Sequence, residues 1–258
     1  MAAFAPDCAL GVDVIASPNH GERRGGARPS LLILHYTGME DAEEALERLC
    51  SPQSEVSAHY LVFEDARIVQ CVQESRRAWH AGVSAWNDIT DVNSHSIGIE
   101  IANPGHEFGY TDYPSAQVDA VIALCRDIVD RHAIAPDRLL GHSDVAPARK
   151  LDPGEKFPWR SLYAAGLGHW TEPAPLGSKR GAFAIGASGT EVSALQQALR
   201  RYGYGLEVTG IFDDTTQQVV RAFQRHFRPA RVDGLADRST RRTLAALLET
   251  RAGAEQQV

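Results

Sequence analysis

Between Gly141 and Gly154 the chain reads Gly-His-Ser-Asp-Val-Ala-Pro-Ala-Arg-Lys-Leu-Asp-Pro-Gly. An imidazole (His142), a cation (Lys150) and a carboxylate (Asp152) therefore stand in one short stretch. Two prolines and two glycines make a continuous helix across it unfavourable. A non-repetitive backbone can turn these three side chains toward one point. Imidazole nitrogen and carboxylate oxygen suit a borderline cation such as zinc, and a nearby lysine can hold developing negative charge. Two ligands do not make a catalytic zinc site, so a third must come from elsewhere.

Two strand-like segments offer what is missing. Leu31-Leu32-Ile33-Leu34-His35-Tyr36-Thr37 is a short apolar run bounded by Pro29 and Gly38, a buried strand that ends on His35. Ser96-Ile97-Gly98-Ile99-Glu100-Ile101 alternates with period two and puts Ser96, Gly98 and Glu100 on one face. A carboxylate in an apolar strand is costly unless it is paired or used, so Glu100 is the most informative residue outside the loop. His35, His142 and Asp152 give three zinc ligands and leave a fourth position for water. Zinc lowers the pKa of a bound water to about 7. Glu100 is then the general base and Lys150 the group that steadies an oxyanion. Against this stands the ordinary use of a histidine as a hydrogen-bonding residue, and the chain has 10 of them.

The remaining segments form a scaffold. Residues 1–30, rich in Gly, Pro and Arg, read as an extended lead-in. Glu40–Cys50 has helical spacing. Ser57–Phe63 and Arg67–Val72 read as a hairpin, with Trp79-His80-Ala81-Gly82 in a following loop. Ser115–His132 is the longest amphipathic helix of the first part. Leu139-Leu140 is a last short strand and Pro158–Leu167 a closing helix. Strands separated by helices predict an α/β fold, a mixed central sheet flanked by helices. Residues 171–188 carry the Pro, Gly and Ser of a linker. Three similar helices follow, at Glu191–Tyr202, Thr215–Phe227 and Thr240–Leu248. They are separated by Gly-and-Asp turns, which predicts a small all-α unit with an internal repeat. The expected organisation is a catalytic domain at 1–170, a linker at 171–188, a helical domain at 189–251 and a tail at 252–258.

Composition sets the class. At 258 residues, 43% hydrophobic and 23% charged, the chain is an ordinary globular protein. No apolar run approaches the roughly 20 residues of a membrane span. The net charge of -7 is uneven. Residues 1–170 hold 14 Lys+Arg against 24 Asp+Glu, a net of -10, and residues 171–258 hold 12 against 9, a net of +3. The acidic part excludes nucleic acid as a partner. Cys8, Cys50, Cys71 and Cys125 lack metal spacing and read as free, mostly buried thiols. The first residues show no export signal, which points to the cytosol; the periplasm or outer membrane is the alternative if an export segment has been removed. A monomer is expected.

The segments Ile33–Thr37, Ser57-Ala58-His59-Tyr60, Ala78–Gly82, Ser96–Glu100 and Gly141–Asp144 through Lys150–Gly154 occur in that order. Together they resemble the zinc-dependent N-acetylmuramoyl-L-alanine amidases, the amidase-2 family related to peptidoglycan recognition proteins. The resemblance covers about residues 28–165. It implies one zinc ion on His35, His142 and Asp152, with Glu100 and Lys150 catalytic. The reaction implied is hydrolysis of the amide between the lactyl group of muramic acid, or its 1,6-anhydro form, and the first L-alanine of the stem peptide, in wall recycling or turnover. Muropeptides or peptidoglycan are the implied partners. Residues 192–240 resemble the three-helix peptidoglycan-binding module, departing from its pattern at Arg225-His226-Phe227-Arg228-Pro229. A non-catalytic muropeptide receptor is the alternative function.

Accessory residues have two readings each. His59 and His80 either position substrate or fix a loop. Trp79 and Trp86 either wall a sugar or pack. Asn93 and Asn103 orient backbone near Glu100, and Arg149 either meets a substrate carboxylate or is a solvated surface residue. Trp79, Asn93 and Arg149 join His59 and His80 as substrate-binding candidates. His20, His95, His106, His132, His169 and His226 read as structural or exposed.

Overall fold

The computed structural model describes residues 4–255. Its centre is a six-stranded mixed sheet. The strands in chain order are β1 Asp13–Val14, β2 His20–Glu22, β3 Leu31–Tyr36, β4 Tyr60–Val62, β5 Ile68–Gln70, β6 Arg76–Ala78, β7 Ser96–Ile101 and β8 Leu139–Gly141. Across the sheet they lie in the order β1, β5, β4, β7, β3, β8. β3 runs parallel to both β7 and β8, β4 runs parallel to β7, and β4 and β5 form the expected antiparallel hairpin. β3 is buried from Leu31 through His35 because both faces of a central parallel strand are covered, which is why it reads as one apolar run.

Residues 1–30 are more than a lead-in. β1 adds to the sheet edge beside β5, and β2 pairs with β6 in a separate two-stranded ribbon. β6 is Arg-Arg-Ala, an edge pairing held by backbone bonds rather than apolar periodicity, and so it carries no strand signature.

The hairpin residues alternate between two apolar layers. Leu61 and Val69 join Leu46 and Leu49 of α1 (Ala42–Cys50) on one face. Tyr60, Val62 and Ile68 join Val121, Leu124 and Ile128 of α3 (Ser115–His132) on the other. Between α1 and α3 lies the single-turn α2, Val92–His95; α4 (His142–Val145) and α5 (Trp159–Ala164) complete the first part. Asp41 caps α1 by accepting from the Glu43 and Glu44 amides.

The helices of the second part are α6 Thr190–Tyr202, α7 Asp214–Phe227 and α8 Arg238–Glu255. The expected repeat shows in their hydrogen bonds. Asp213 caps α7 through the Thr216 amide at 2.8 Å, and Asp237 caps α8 through the Thr240 amide at 2.8 Å. Gln196 and Gln224 are buried, and each donates to the threonine hydroxyl of the cap that follows it. The helix α8 runs on into the stretch expected as a tail; residues 256–258 lie outside the described residues. The linker segment rests on this unit: Ala174 bonds both Thr243 and Ser239, and Phe183 pairs with Ala236.

The apolar core does not stop at the linker. Trp86, Trp159 and Trp170 share one buried cluster with Tyr202, Phe223 and Phe227. A three-helix unit of this size is marginal on its own, and the aromatic residues of the first part extend its core. No helix of the described residues is long and apolar enough to cross a membrane.

Candidate active site

The parallel pairing of β3 with β7 sets His35 directly opposite Glu100. On the other side of β3, β8 ends at Gly141 and the chain turns at once into α4, which begins with His142. The loop after α4 returns, and the Ser143 amide donates to the Asp152 carbonyl at 2.9 Å. That return brings Lys150 and Asp152 back to the strand ends.

Three donor atoms meet there. His35 Nδ1 is 2.9 Å from His142 Nδ1 and 3.1 Å from Asp152 Oδ2, and His142 Nδ1 is 3.0 Å from the same oxygen. Among the described residues this is the one group of three or more such side chains arranged to hold a metal ion. The outward ring nitrogens fix the tautomers. His142 Nε2 faces the Ala81 carbonyl at 3.1 Å and must donate to it, which leaves Nδ1 a bare lone pair. The Ser96 hydroxyl donates to the Val92 carbonyl at 2.7 Å, so it accepts from His80 Nε2 at 3.1 Å. His80 Nδ1 therefore accepts from His35 Nε2 at 3.0 Å, and His35 Nδ1 is bare as well. Two imidazole lone pairs and a carboxylate oxygen thus point at one another. Donors around a tetrahedral zinc with bonds of about 2.0–2.1 Å stand about 3.3 Å apart, close to this spacing.

The electrostatics agree. Burial, then the neighbouring His142, lowers the His35 imidazole to about 4, so it is neutral at physiological pH. Burial alone would raise the Asp152 carboxyl; only where His142 or His35 carries a proton on the inward nitrogen do its hydrogen bond and charge overcome burial and hold the group well below the usual carboxylate range. Glu100 goes the opposite way. Burial and then the charge of Asp152 push it well above its ordinary value, with Lys150 opposing. Its Oε2 is buried with no hydrogen-bond partner among the described residues.

These groups line a cavity of about 480 Å³ whose walls include His35, Glu100, His142, Lys150 and Asp152. The Lys150 ammonium forms no hydrogen bond or ion pair with the described residues.

Residues 25–155 match the family model described as N-acetylmuramoyl-L-alanine amidase, and residues 188–244 match a putative peptidoglycan binding domain. The chain is similar to the N-acetylmuramoyl-L-alanine amidase AmiD of Escherichia coli K12, with 37% identity over 86% of this chain and 83% of that one. The chain belongs to the N-acetylmuramoyl-L-alanine amidase family. The solved structure of E. coli AmiD with anhydro-N-acetylmuramic acid-L-Ala-D-γ-Glu-L-Lys superposes with a TM-score of 0.73 at 35% identity, covering 90% of this chain and 98% of that one. AmpDh3 of Pseudomonas aeruginosa gives 0.74 at 34%, covering 88% and 94%. The shorter 1,6-anhydro-N-acetylmuramyl-L-alanine amidase AmpD of E. coli is 34% identical over 58% of this chain and 89% of its own length.

Within this amidase family member the accessory residues divide. Trp79 is half-buried on the cavity wall and His80 touches the cavity while bonding His35. His59 is fully buried behind His80, and its two nitrogens are taken by the Gly98 amide at 2.9 Å and the Arg76 carbonyl at 3.2 Å. Asn93 accepts from the His80 and Ala81 amides and so fixes their loop rather than facing the cavity. Asn103 bonds Thr111 and the Gly105 amide. Arg149 lines the cavity, but its guanidinium donates to the Ala81 and Val83 carbonyls. Trp86 is buried against Tyr202 and Tyr204, away from the cavity.

Sequence reasoning missed Tyr36 and His106. Both line the cavity, joined through Tyr36 Oη and His106 Nδ1 at 3.0 Å, and His106 Nε2 reaches Glu155 at 3.2 Å. His106 sits in a turn-rich stretch without periodicity, and nothing local marks it. Tyr36 follows His35 in β3, and its neighbour's position was the available signal.

Proposed function

We propose that this chain hydrolyses the amide between the lactyl carbonyl of muramic acid, in its ordinary or 1,6-anhydro form, and the L-alanine of a stem peptide, with one zinc ion held by His35, His142 and Asp152. The observation that carries this is the convergence of the two bare imidazole nitrogens and the Asp152 oxygen beside the unpartnered Glu100 carboxyl. Zinc bound there would polarise the scissile carbonyl and lower the pKa of a coordinated water to about 7.

The chain's own groups do the remainder. A carboxyl raised well above its ordinary value is suited to accepting a proton from water and returning it to the leaving nitrogen, and Glu100 is such a group. The ammonium of Lys150 supplies positive charge where the tetrahedral oxyanion develops. His80 orients His35, and Arg149 and Asn93 hold the loop that receives the His142 N–H. In this reading Asn93 and Arg149 act on substrate only through that loop, His59 acts only through the strands it bonds at Gly98 and Arg76, and Trp79 offers the cavity an apolar face for sugar or lactyl group.

The test is product analysis by mass spectrometry on an anhydro-muropeptide and on intact sacculi, each with and without a chelator. Chelator-sensitive release of stem peptide is expected from the soluble substrate. Release from that substrate alone goes with cytosolic recycling, and release from both goes with an envelope enzyme whose helical unit binds wall. No release from either by zinc-loaded protein would sink the hydrolase and leave the receptor.

A further inference from the structure

Asp144 stands two residues past His142 in α4 and is fully buried. A carboxylate in that position is costly unless its oxygens are met. Oδ2 accepts from the Gly141 amide at 2.8 Å, which closes the turn on itself. The other two partners come from the helical unit. Tyr204 Oη donates to Oδ1 at 2.7 Å, and His226 Nδ1 meets Oδ2 at 2.7 Å. His226 is itself held by Trp159, stacked at 3.7 Å between centroids and 19° between planes.

The neighbouring loop is clamped from the same side. Trp86 is fully buried against Tyr204, and the Asn87 amide donates to the Gly203 carbonyl at 2.7 Å. Gly203 has φ +139°, and a Cβ there would stand 2.4 Å from the Trp86 ring. The Ala85 amide donates to the Val145 carbonyl at 2.8 Å and ties this loop to α4. The loop is the one that receives the Nε2 hydrogens of His35, through His80, and of His142, through Ala81.

We propose that the helical unit is part of the catalytic apparatus: Tyr204 and His226 are positioning residues that act through Asp144 to fix the turn carrying His142. This rests on the zinc-site reading above. Losing a direct partner of a metal ligand typically costs 10–100-fold in metal affinity or activity, and Tyr204 and His226, which act one step further out through Asp144, belong at the lower end of that range. The turn is short and its one charged side chain is spent on the helical unit, so a change there is passed to His142 within two residues.

The experiment uses the full-length protein with Tyr204→Phe, His226→Phe and the double variant. Asp137→Ala is the control; it removes the Asp137–Arg251 ion pair, which joins the two parts away from the loop. Zinc affinity is read by competition with a chromophoric chelator, kcat and KM on a soluble anhydro-muropeptide, and Tm by thermal unfolding. Each single variant is expected to weaken zinc affinity or kcat about 10-fold, and the double variant about 100-fold, with KM within a factor of about two. Asp137→Ala is expected to leave zinc affinity and kcat as in wild type. If Tyr204→Phe and His226→Phe lower only Tm, as the control does, the proposal is overturned. Tyr204→Phe removes a single oxygen and keeps the test alive should His226→Phe not fold. A wild type that binds zinc but releases no peptide would sink the amidase reading, while the zinc measurements still decide the positioning role.

Discussion

At the scale of residues, the site is a set of hydrogen bonds whose directions leave no choice. Ser96 gives its hydrogen to Val92, and from that single commitment the tautomers of His80 and His35 follow. Gly98 belongs to the same device. The His80 ring lies over it so closely that a Cβ would come 2.5 Å from His80 Cγ. Gly98→Ala should therefore displace His80 and weaken zinc binding 10–100-fold, as read by chelator competition; unchanged affinity would show that His35 needs no such partner. Glu100→Gln should cut kcat by about 10²–10⁴ with zinc content retained, as measured by single-turnover kinetics and metal analysis. Much of this was legible in the sequence. Ser96, Gly98 and Glu100 alternate on one face, and the structure uses that face throughout. His59, Asn93 and Arg149 were legible only as polar residues near a site. A sequence does not show whether a donor is spent on backbone before a ligand can reach it. Asp144, Tyr204 and His226 meet across 60 and 82 residues, and no local pattern encodes such a meeting.

At the scale of elements, periodicity revealed the long segments and missed the short ones. β3, β7, α3 and the three later helices each bury a regular apolar face, and burial is what periodicity records. β1, β2 and β6 are two or three residues long and held by backbone pairing, which leaves no such record. The link between α3 and the sheet carries a pH signature. Glu74 is buried, and it accepts from Tyr60 of β4 at 2.7 Å, from Arg131 Nη2 at 2.8 Å and from His132 at 2.6 Å. Burial alone would raise its carboxyl, but the hydrogen bonds from Arg131, His132 and Tyr60 carry it down to about 2. The folded value lies below the unfolded one of about 4.3, so the group stabilises the fold fully above that pH. The contribution, about 3 kcal/mol at pH 7, fades as the pH falls toward 2. Urea unfolding of wild type and Glu74→Gln should show a gap that narrows from pH 7 to pH 3. A gap independent of pH would mean that the carboxylate charge is not what holds α3.

At the scale of the molecule, the two parts share one apolar cluster, with Trp86, Trp159 and Trp170 on one side and Tyr202, Tyr204, Phe223 and Phe227 on the other. Composition had suggested two bodies of opposite charge, and the charge difference is present in the sequence. Charge, however, reports on surfaces, while the aromatic junction is interior and is spread along the chain. Calorimetry should accordingly give a single unfolding transition with calorimetric and van't Hoff enthalpies in agreement. Two separate transitions would show that the helical unit is independently stable and the junction weak.

Both histidines of the triad present Nδ1 inward. That nitrogen is bonded to Cγ, on the side of the ring nearest the main chain, whereas Nε2 lies at the far end. Coordination through Nδ1 would therefore be a shorter lever than coordination through Nε2. A given rotation about the Cα–Cβ bond moves Nδ1 less than it moves Nε2, so more of the donor's placement is inherited from the backbone of β3 and of α4. Accuracy at an ion bound there would thus depend on a central strand and a pinned turn as well as on rotamer choice, and a drift in either backbone would be passed on to it.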